Sequence, residues 1–190
     1  MHQLSTALLL GYHGCDASVA KKLIGGSPFK PSENIFDWLG SGVYFWEANP
    51  KRALEFAEEQ AKRGKVSEPD VVGAVISLGL CLDLTTKAGL DAVAQSYADL
   101  KQITEAAGEN LPTNSGDMLR RNLDCAVVNY LTRTTEDDGL TAIDSVRGVF
   151  IEGREAYPNS GFMHKTHIQI AIRNLDCIKG VFRVRPQDLD

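Results

Sequence analysis

Two histidines, a tyrosine, a glutamine and two glycine-bearing segments are the residues of this chain whose types and spacing suit ligand chemistry. Gly40-Ser41-Gly42-Val43-Tyr44-Phe45 joins a Gly-x-Gly pair to an apolar, aromatic-ended strand. The glycines let the backbone come close to a ligand, and Tyr44 at the strand end is placed to stack on a flat ring. Upstream, Gly11-Tyr12-His13-Gly14-Cys15 closes an apolar run over 7–10. An imidazole there can donate or accept a hydrogen bond at close range. Residues 166–173 alternate with period two, so His167 and Gln169 project from one strand face. The preceding loop, 153–162, carries Arg154, Glu155, Tyr157 and Phe162, with His164 and Lys165 beside it. That mix suits a protein or a nucleic acid. Each feature also has a plain structural reading: His13 as a strand-end histidine, Tyr44 as a core tyrosine with a partnered hydroxyl, His167 and Gln169 as a solvated strand face.

These residues need elements to position them. Residues 7–13 read as a strand, and Asp16 caps a helix over 17–24 that Gly25-Gly26 ends. Residues 27–39 form a loop rich in Ser, Pro and Asn, finishing on Phe36, Asp37 and Trp38. After a strand over 43–46, Asn49-Pro50 starts a helix. In it Arg52, Ala53, Phe56, Ala57 and Gln60 recur at helical spacing, and Gly64 closes it. Residues 71–84 are predicted as one long β run with Gly73 and Gly79 as bulges. Helices follow over 88–106 and 118–133, separated by a linker at 107–116, then strands over 146–152, 166–172 and 178–184. A strand–helix–strand start and a strand-rich end predict an α+β fold with a mixed or largely antiparallel sheet. The 190 residues form one domain, with a helical insertion over about 86–135.

Bulk properties narrow the function classes. A net charge of −5 argues against a broad nucleic-acid-binding face. Cys15, Cys81, Cys125 and Cys177 make no CxxC pair and read as free, mostly buried thiols of a reducing compartment. Asp83 and the run Glu136-Asp137-Asp138 lack His/Cys partners at ligand spacing, so no metal site is expected. No apolar run is long enough for a membrane span, and no basic segment precedes residues 7–10 as in a signal peptide. The expected location is the cytoplasm, with no membrane partner.

The His-Gly segment followed by Gly-x-Gly-x-Tyr-Phe resembles the ADP-ribosyltransferase superfamily, on the branch of diphtheria toxin and the poly(ADP-ribose) polymerases. The resemblance is strongest over 8–60, weaker over 143–182, and absent over 84–140. It implies a split β-core and NAD as co-substrate. It implies that His13 bonds a ribose hydroxyl, that Gly14 pairs through its backbone with the nicotinamide carboxamide, and that Gly42 and Tyr44 form the nicotinamide wall. Phe56, one residue off the usual spacing, is the candidate second aromatic. Cys15 replaces the usual Thr or Ser. Gln169 takes the position of the family's Glu and His167 the slot before it, giving His-Tyr-Gln. A neutral Gln keeps a hydrogen bond but loses the charge that stabilises an oxocarbenium-like transition state. Glu155, Glu152 or His167 are then the alternative polar groups. The implied activity is mono-ADP-ribosyl transfer to a protein or nucleic acid, as in a bacterial toxin with an antitoxin protein partner. NAD hydrolysis and a weakly catalytic NAD or ADP-ribose binder are the alternatives.

Overall fold

In a computed structural model, which describes residues 8–117, 119–137, 139 and 141–189, the chain folds as α+β around a seven-stranded mixed sheet with four α-helices. The strands are β1 (Leu8–Asp16), β2 (Val43–Glu47), β3 (Pro69–Ser77), β4 (Cys81–Asp83), β5 (Ser145–Phe150), β6 (His167–Ile172) and β7 (Ile178–Arg183). Their order is β4-β5-β6-β2-β1-β3-β7; β4 and β5 pair parallel and the other neighbours antiparallel.

Local chemistry accounts for the helices. Asp16 caps α1 (Ala17–Ile24), accepting from the Ser18 amide at 2.9 Å. Asn49 caps α2 (Pro50–Lys62), accepting from the Arg52 amide at 3.0 Å, with Pro50 in the first turn. Thr86 caps α3 (Lys87–Ala106). α3 and α4 (Asn122–Asp137) form the crossover between the parallel strands β4 and β5.

Both sheet faces are covered. On one, α1 and Phe29 pack on Val43, Phe45, Val72, Ile76, Ile170 and Ile172. On the other, α4, Trp38 and Leu39 cover Tyr44, Val146 and Ala171. There too, α2 covers Trp46 and Val71 through Ala53. Gly14 is what lets α2 lie so close: a Cβ there would stand 2.0 Å from the Ala53 carbonyl oxygen.

Several sequence expectations are corrected. β1 runs on to Asp16, because β3 supplies partners as far as Pro69, so His13-Gly14 lies inside a strand and not at its end. The predicted run over 71–84 is two strands on distant parts of the sheet. Gly79, with φ of 59°, makes the turn between them, and the irregularity with β7 falls at Val75/Ile76 and not at Gly73. The second insertion helix begins at Asn122 and not at 118, and Met118 lies outside the described residues.

The sheet parts along its middle. β1 and β2 pair only at Gly11–Glu47 and Tyr12–Trp46, although both strands continue. Beyond that point His13–Asp16 keep their β3 partners, while Val43–Phe45 pair with β6.

Candidate functional site

His13 sits where the sheet parts. Its Nδ1 lies 2.9 Å from the Tyr44 carbonyl oxygen. A carbonyl can only accept, so Nδ1 carries the proton and Nε2 of the neutral ring is left as an acceptor. Burial pushes the imidazole pKa below its ordinary value, partly offset by this hydrogen bond. The ring lies edge-on to Phe29, with centroids 5.5 Å apart, and 5.8 Å from Phe45.

The other sequence-predicted residues divide into those that share a face and those that do not. His13 belongs with Phe45 on the α1 face. Tyr44, one residue along β2 from Phe45, turns to the α2/α4 face. The two rings therefore do not line one cleft. The Tyr44 hydroxyl donates to the Gly40 carbonyl and accepts from the Leu39 amide, both at 2.9 Å. It packs with the Trp38 and Leu39 cluster, and burial pushes its pKa well above the usual value. Tyr44 is thus a core tyrosine with a satisfied hydroxyl, and the expected stacking wall is not formed.

Phe56 is likewise a packing residue, partly buried against Trp46 with centroids 4.9 Å apart, because α2 brings it to the far end of β2 from Tyr44. Cys15 is buried in the α1-face core, and burial pushes its thiol up to about 12. Gly42 fixes the preceding loop to the strand through two backbone hydrogen bonds with Ser32, at 2.8 and 3.0 Å. Glu155 is exposed and closes its own loop, accepting from the Asn159 amide at 3.0 Å, so it points to no shared site.

Gln169 and His167 do share a face with Tyr44, as the register pairs Trp46 with Gln169 and Tyr44 with Ala171. Gln169 is committed there: its Oε1 accepts from Trp38 Nε1 at 2.6 Å. His167 is 6% exposed and stacks on Phe150 at 5.6 Å and 26°. His167 is thus buried and Gln169 partly so, and the alternative reading of the pair as a solvated strand face does not hold.

Beside His167 lies a partly buried ionic cluster whose partners local sequence pattern does not reveal. Arg52, 6% exposed, reaches from α2 and donates to Glu152 through Nε at 3.0 Å and also through Nη2. Glu59 and Glu55 stand 3.6 and 3.9 Å away. Lys165 bonds Glu59 at 2.7 Å, and Glu152 lies 3.9 Å from His167 Nδ1. The signal was present: Arg52 interrupts an otherwise apolar helical stripe, and a cation on a core-facing stripe needs a buried partner. On the opposite sheet face, Asp83 and Glu47 are paired with Arg147, at 3.2 and 2.6 Å. Asp138 lies outside the described residues. Among the described residues no group of three or more His, Cys, Asp or Glu side chains gathers as metal ligands. No helix among them is long and apolar enough to cross a membrane.

Known proteins add little to this geometry. The chain is similar to an uncharacterized protein of Methanocaldococcus jannaschii, 25% identical over 186 residues, covering 88% of this chain and 83% of the relative. No family profile matches it. No solved structure matches it.

Proposed function

We propose that this chain is an NAD-dependent ADP-ribosyltransferase whose nicotinamide end is received where β1 and β2 part. The observation that carries the reading is the break in the β1–β2 ladder beside His13-Gly14. Neighbouring strands exchange hydrogen bonds through alternating backbone groups. Where the ladder stops, the β2-facing edge of Gly14 is offered to another partner, and a carboxamide matches a backbone N–H and C=O. His13 Nε2 adds an acceptor for a ribose hydroxyl. In the reaction the bond between ribose C1′ and the nicotinamide nitrogen breaks, its electron pair leaving with nicotinamide. A nucleophile on a protein or nucleic acid then bonds to C1′ and loses a proton. In this reading Tyr44 serves as framework, holding His13 through its carbonyl.

One observation favours a second reading, an NAD or ADP-ribose binder with little turnover. β6 carries no carboxylate, and Gln169, at the position the resemblance gives to Glu, is tied to Trp38. Titration of NAD by calorimetry, with nicotinamide release measured with and without cell lysate, separates the two. Release supports the transferase or, without an acceptor, the hydrolase; saturable binding without release supports the binder; no binding overturns both.

A further inference from the structure

The turn Gly40-Ser41-Gly42, which leads into β2, has every main-chain N–H and C=O hydrogen-bonded. Gly40 and Gly42 are held by the preceding loop, through Asp37 and Ser32, and by Tyr44 of β2 itself. Ser41 is tied to other parts of the fold. Its N–H donates to Asn129 Oδ1 of α4 at 2.9 Å, and its C=O accepts from Arg173 Nη1, just past β6, at 3.0 Å. Both anchors are themselves fixed. Asn129 Nδ2 donates to Cys125 Sγ, one helical turn back, at 3.4 Å, which leaves Oδ1 for Ser41. The Arg173 amide donates to the Asp144 carbonyl at 2.9 Å. The glycines serve this grip. A Cβ on Gly40 would stand 2.7 Å from Asn129 Oδ1, and one on Gly42 2.9 Å from the Ile172 carbonyl oxygen.

This turn lies at the open end of the parting between β1 and β2. Continued in register, their ladder would pair His13 with Phe45, Gly14 with Tyr44, Cys15 with Val43 and Asp16 with Gly42. It does not. The Tyr44 carbonyl is taken by His13 Nδ1, Gly42 by Ser32, and Val43 pairs with Ile172, next to Arg173. The leading end of β2 is thus drawn toward β6 and α4 and away from β1. Two antiparallel strands already paired at one end would otherwise go on exchanging hydrogen bonds along their edges.

We propose that Asn129 and Arg173 are positioning residues. By holding the Ser41 peptide from both sides they keep the start of β2 apart from β1, so that the insertion helix α4 governs affinity at the parting. The affinity half rests on the NAD reading; the spacing of the strands does not. Tyr44 grips Gly40 from within β2, so its hydroxyl moves with the strand and sets no spacing.

The test compares wild type with Asn129→Ala, Arg173→Met and Asn129→Asp, whose carboxylate still accepts from the Ser41 N–H. One readout is the nuclear Overhauser contact between the Hα atoms of Cys15 and Val43, whose Cα atoms would stand about 4.5 Å apart in a closed ladder. The other is NAD affinity by calorimetry. The Hα contact should be absent in wild type and Asn129→Asp and present in Asn129→Ala and Arg173→Met. In those two, NAD affinity should fall at least about tenfold, because a closed ladder lowers the fraction of molecules able to bind. Asn129→Asp should stay within about threefold of wild type. If Asn129→Ala fails to fold, Arg173→Met gives the same reading from the other side of the peptide. No Hα contact in either variant overturns the proposal, as does a loss in Asn129→Asp equal to that in Asn129→Ala. A closed ladder with unchanged NAD affinity overturns the control of affinity by α4. If wild type binds no NAD, the NAD reading falls, and the Hα contact still decides whether the two residues hold the strands apart.

Discussion

His13 and Tyr44 are joined by a 2.9 Å hydrogen bond from an imidazole nitrogen to a backbone carbonyl, yet their rings lie on opposite faces of the sheet. The tyrosine acts on the histidine through its main chain, and its own ring serves the loop at 38–42 through Leu39 and Gly40. Tyr44→Phe should therefore lower stability by about 1–3 kcal/mol, since it leaves the Leu39 amide and the Gly40 carbonyl without that partner. NAD affinity should stay within twofold. Urea denaturation and calorimetric titration check the two halves of this expectation, and a large loss of affinity with stability intact would return the ring to the ligand site.

His13→Phe keeps an aromatic against Phe29 and Phe45 but removes both ring nitrogens. Nicotinamide release should drop at least tenfold, equal to about 1.4 kcal/mol of barrier. Gln169→Glu should retain or raise release, because a carboxylate still accepts from Trp38 Nε1 and adds charge to that face. Gln169→Leu leaves the Trp38 indole N–H unpaired and should cost about 1–3 kcal/mol of stability. Release assays paired with thermal melts distinguish the chemical from the structural effect.

Gly14→Ala tests the approach of α2 to β1. With the new Cβ only 2.0 Å from the Ala53 carbonyl oxygen, helix or strand must shift. Overpacking of this kind costs about 1–3 kcal/mol or more. Both the melting temperature and NAD binding should fall; an unchanged melting temperature would contradict the packing of α2 described above.

Arg52 is buried and Glu152 mostly so, and only the more distant Glu55 and Glu59 remain to Arg52 when Glu152 loses its charge. Glu152→Gln should destabilise by about 1–3 kcal/mol. Replacing the pair together, as Arg52→Met with Glu152→Gln, should recover part of the loss. Glu155→Gln, on an exposed loop residue, should change stability by less than about 0.5 kcal/mol. Chemical denaturation of the four proteins gives the comparison directly.

Acid should weaken the fold in two stages. His13 and His167 both have pKa values lowered mainly by burial. Below the unfolded value, near 6.5, the unfolded chain takes up protons that the folded one resists, so stability falls as pH drops from there. Asp16, held low first by the Ser18 side chain and then by backbone amides, adds a second loss at lower pH. Its stabilisation is present above its unfolded pKa and disappears as pH falls through the folded one. Urea midpoints measured from pH 8 down to pH 4 should decline first below about 6.5. In His13→Phe with His167→Phe the first stage should flatten.

Helices with strong local chemistry were legible in the sequence. Asp16 with Gly25, and Asn49 with Pro50 and Gly64, mark α1 and α2 almost to the residue. Periodicity also placed His167 and Gln169 on one face. What the sequence did not disclose is set by distant partners. β1 reaches Asp16 because of β3, and the run after Pro69 divides because Gly79 turns the chain toward β5. The burial of Tyr44 depends on α4 and on Leu39, neither of which local pattern ties to it. Arg52 was visible within its stripe, but Glu152 lies a hundred positions away, and no local rule pairs them.

The strand order also sets when this fold can form during synthesis. β1 and β3 come from the first part of the chain and can pair early, whereas β2 takes its long ladder from β6, close to the other end. Until Ile172 is made, Val43, Tyr44, Phe45 and Trp46 have almost no partner strand, only the two positions shared with β1. Such non-local closure is slow, and an apolar, aromatic strand left waiting is prone to pair with another chain. A nascent chain that stalls before β6 would therefore carry its most adhesive segment in the open, so the yield of folded protein depends on how quickly the last strands follow.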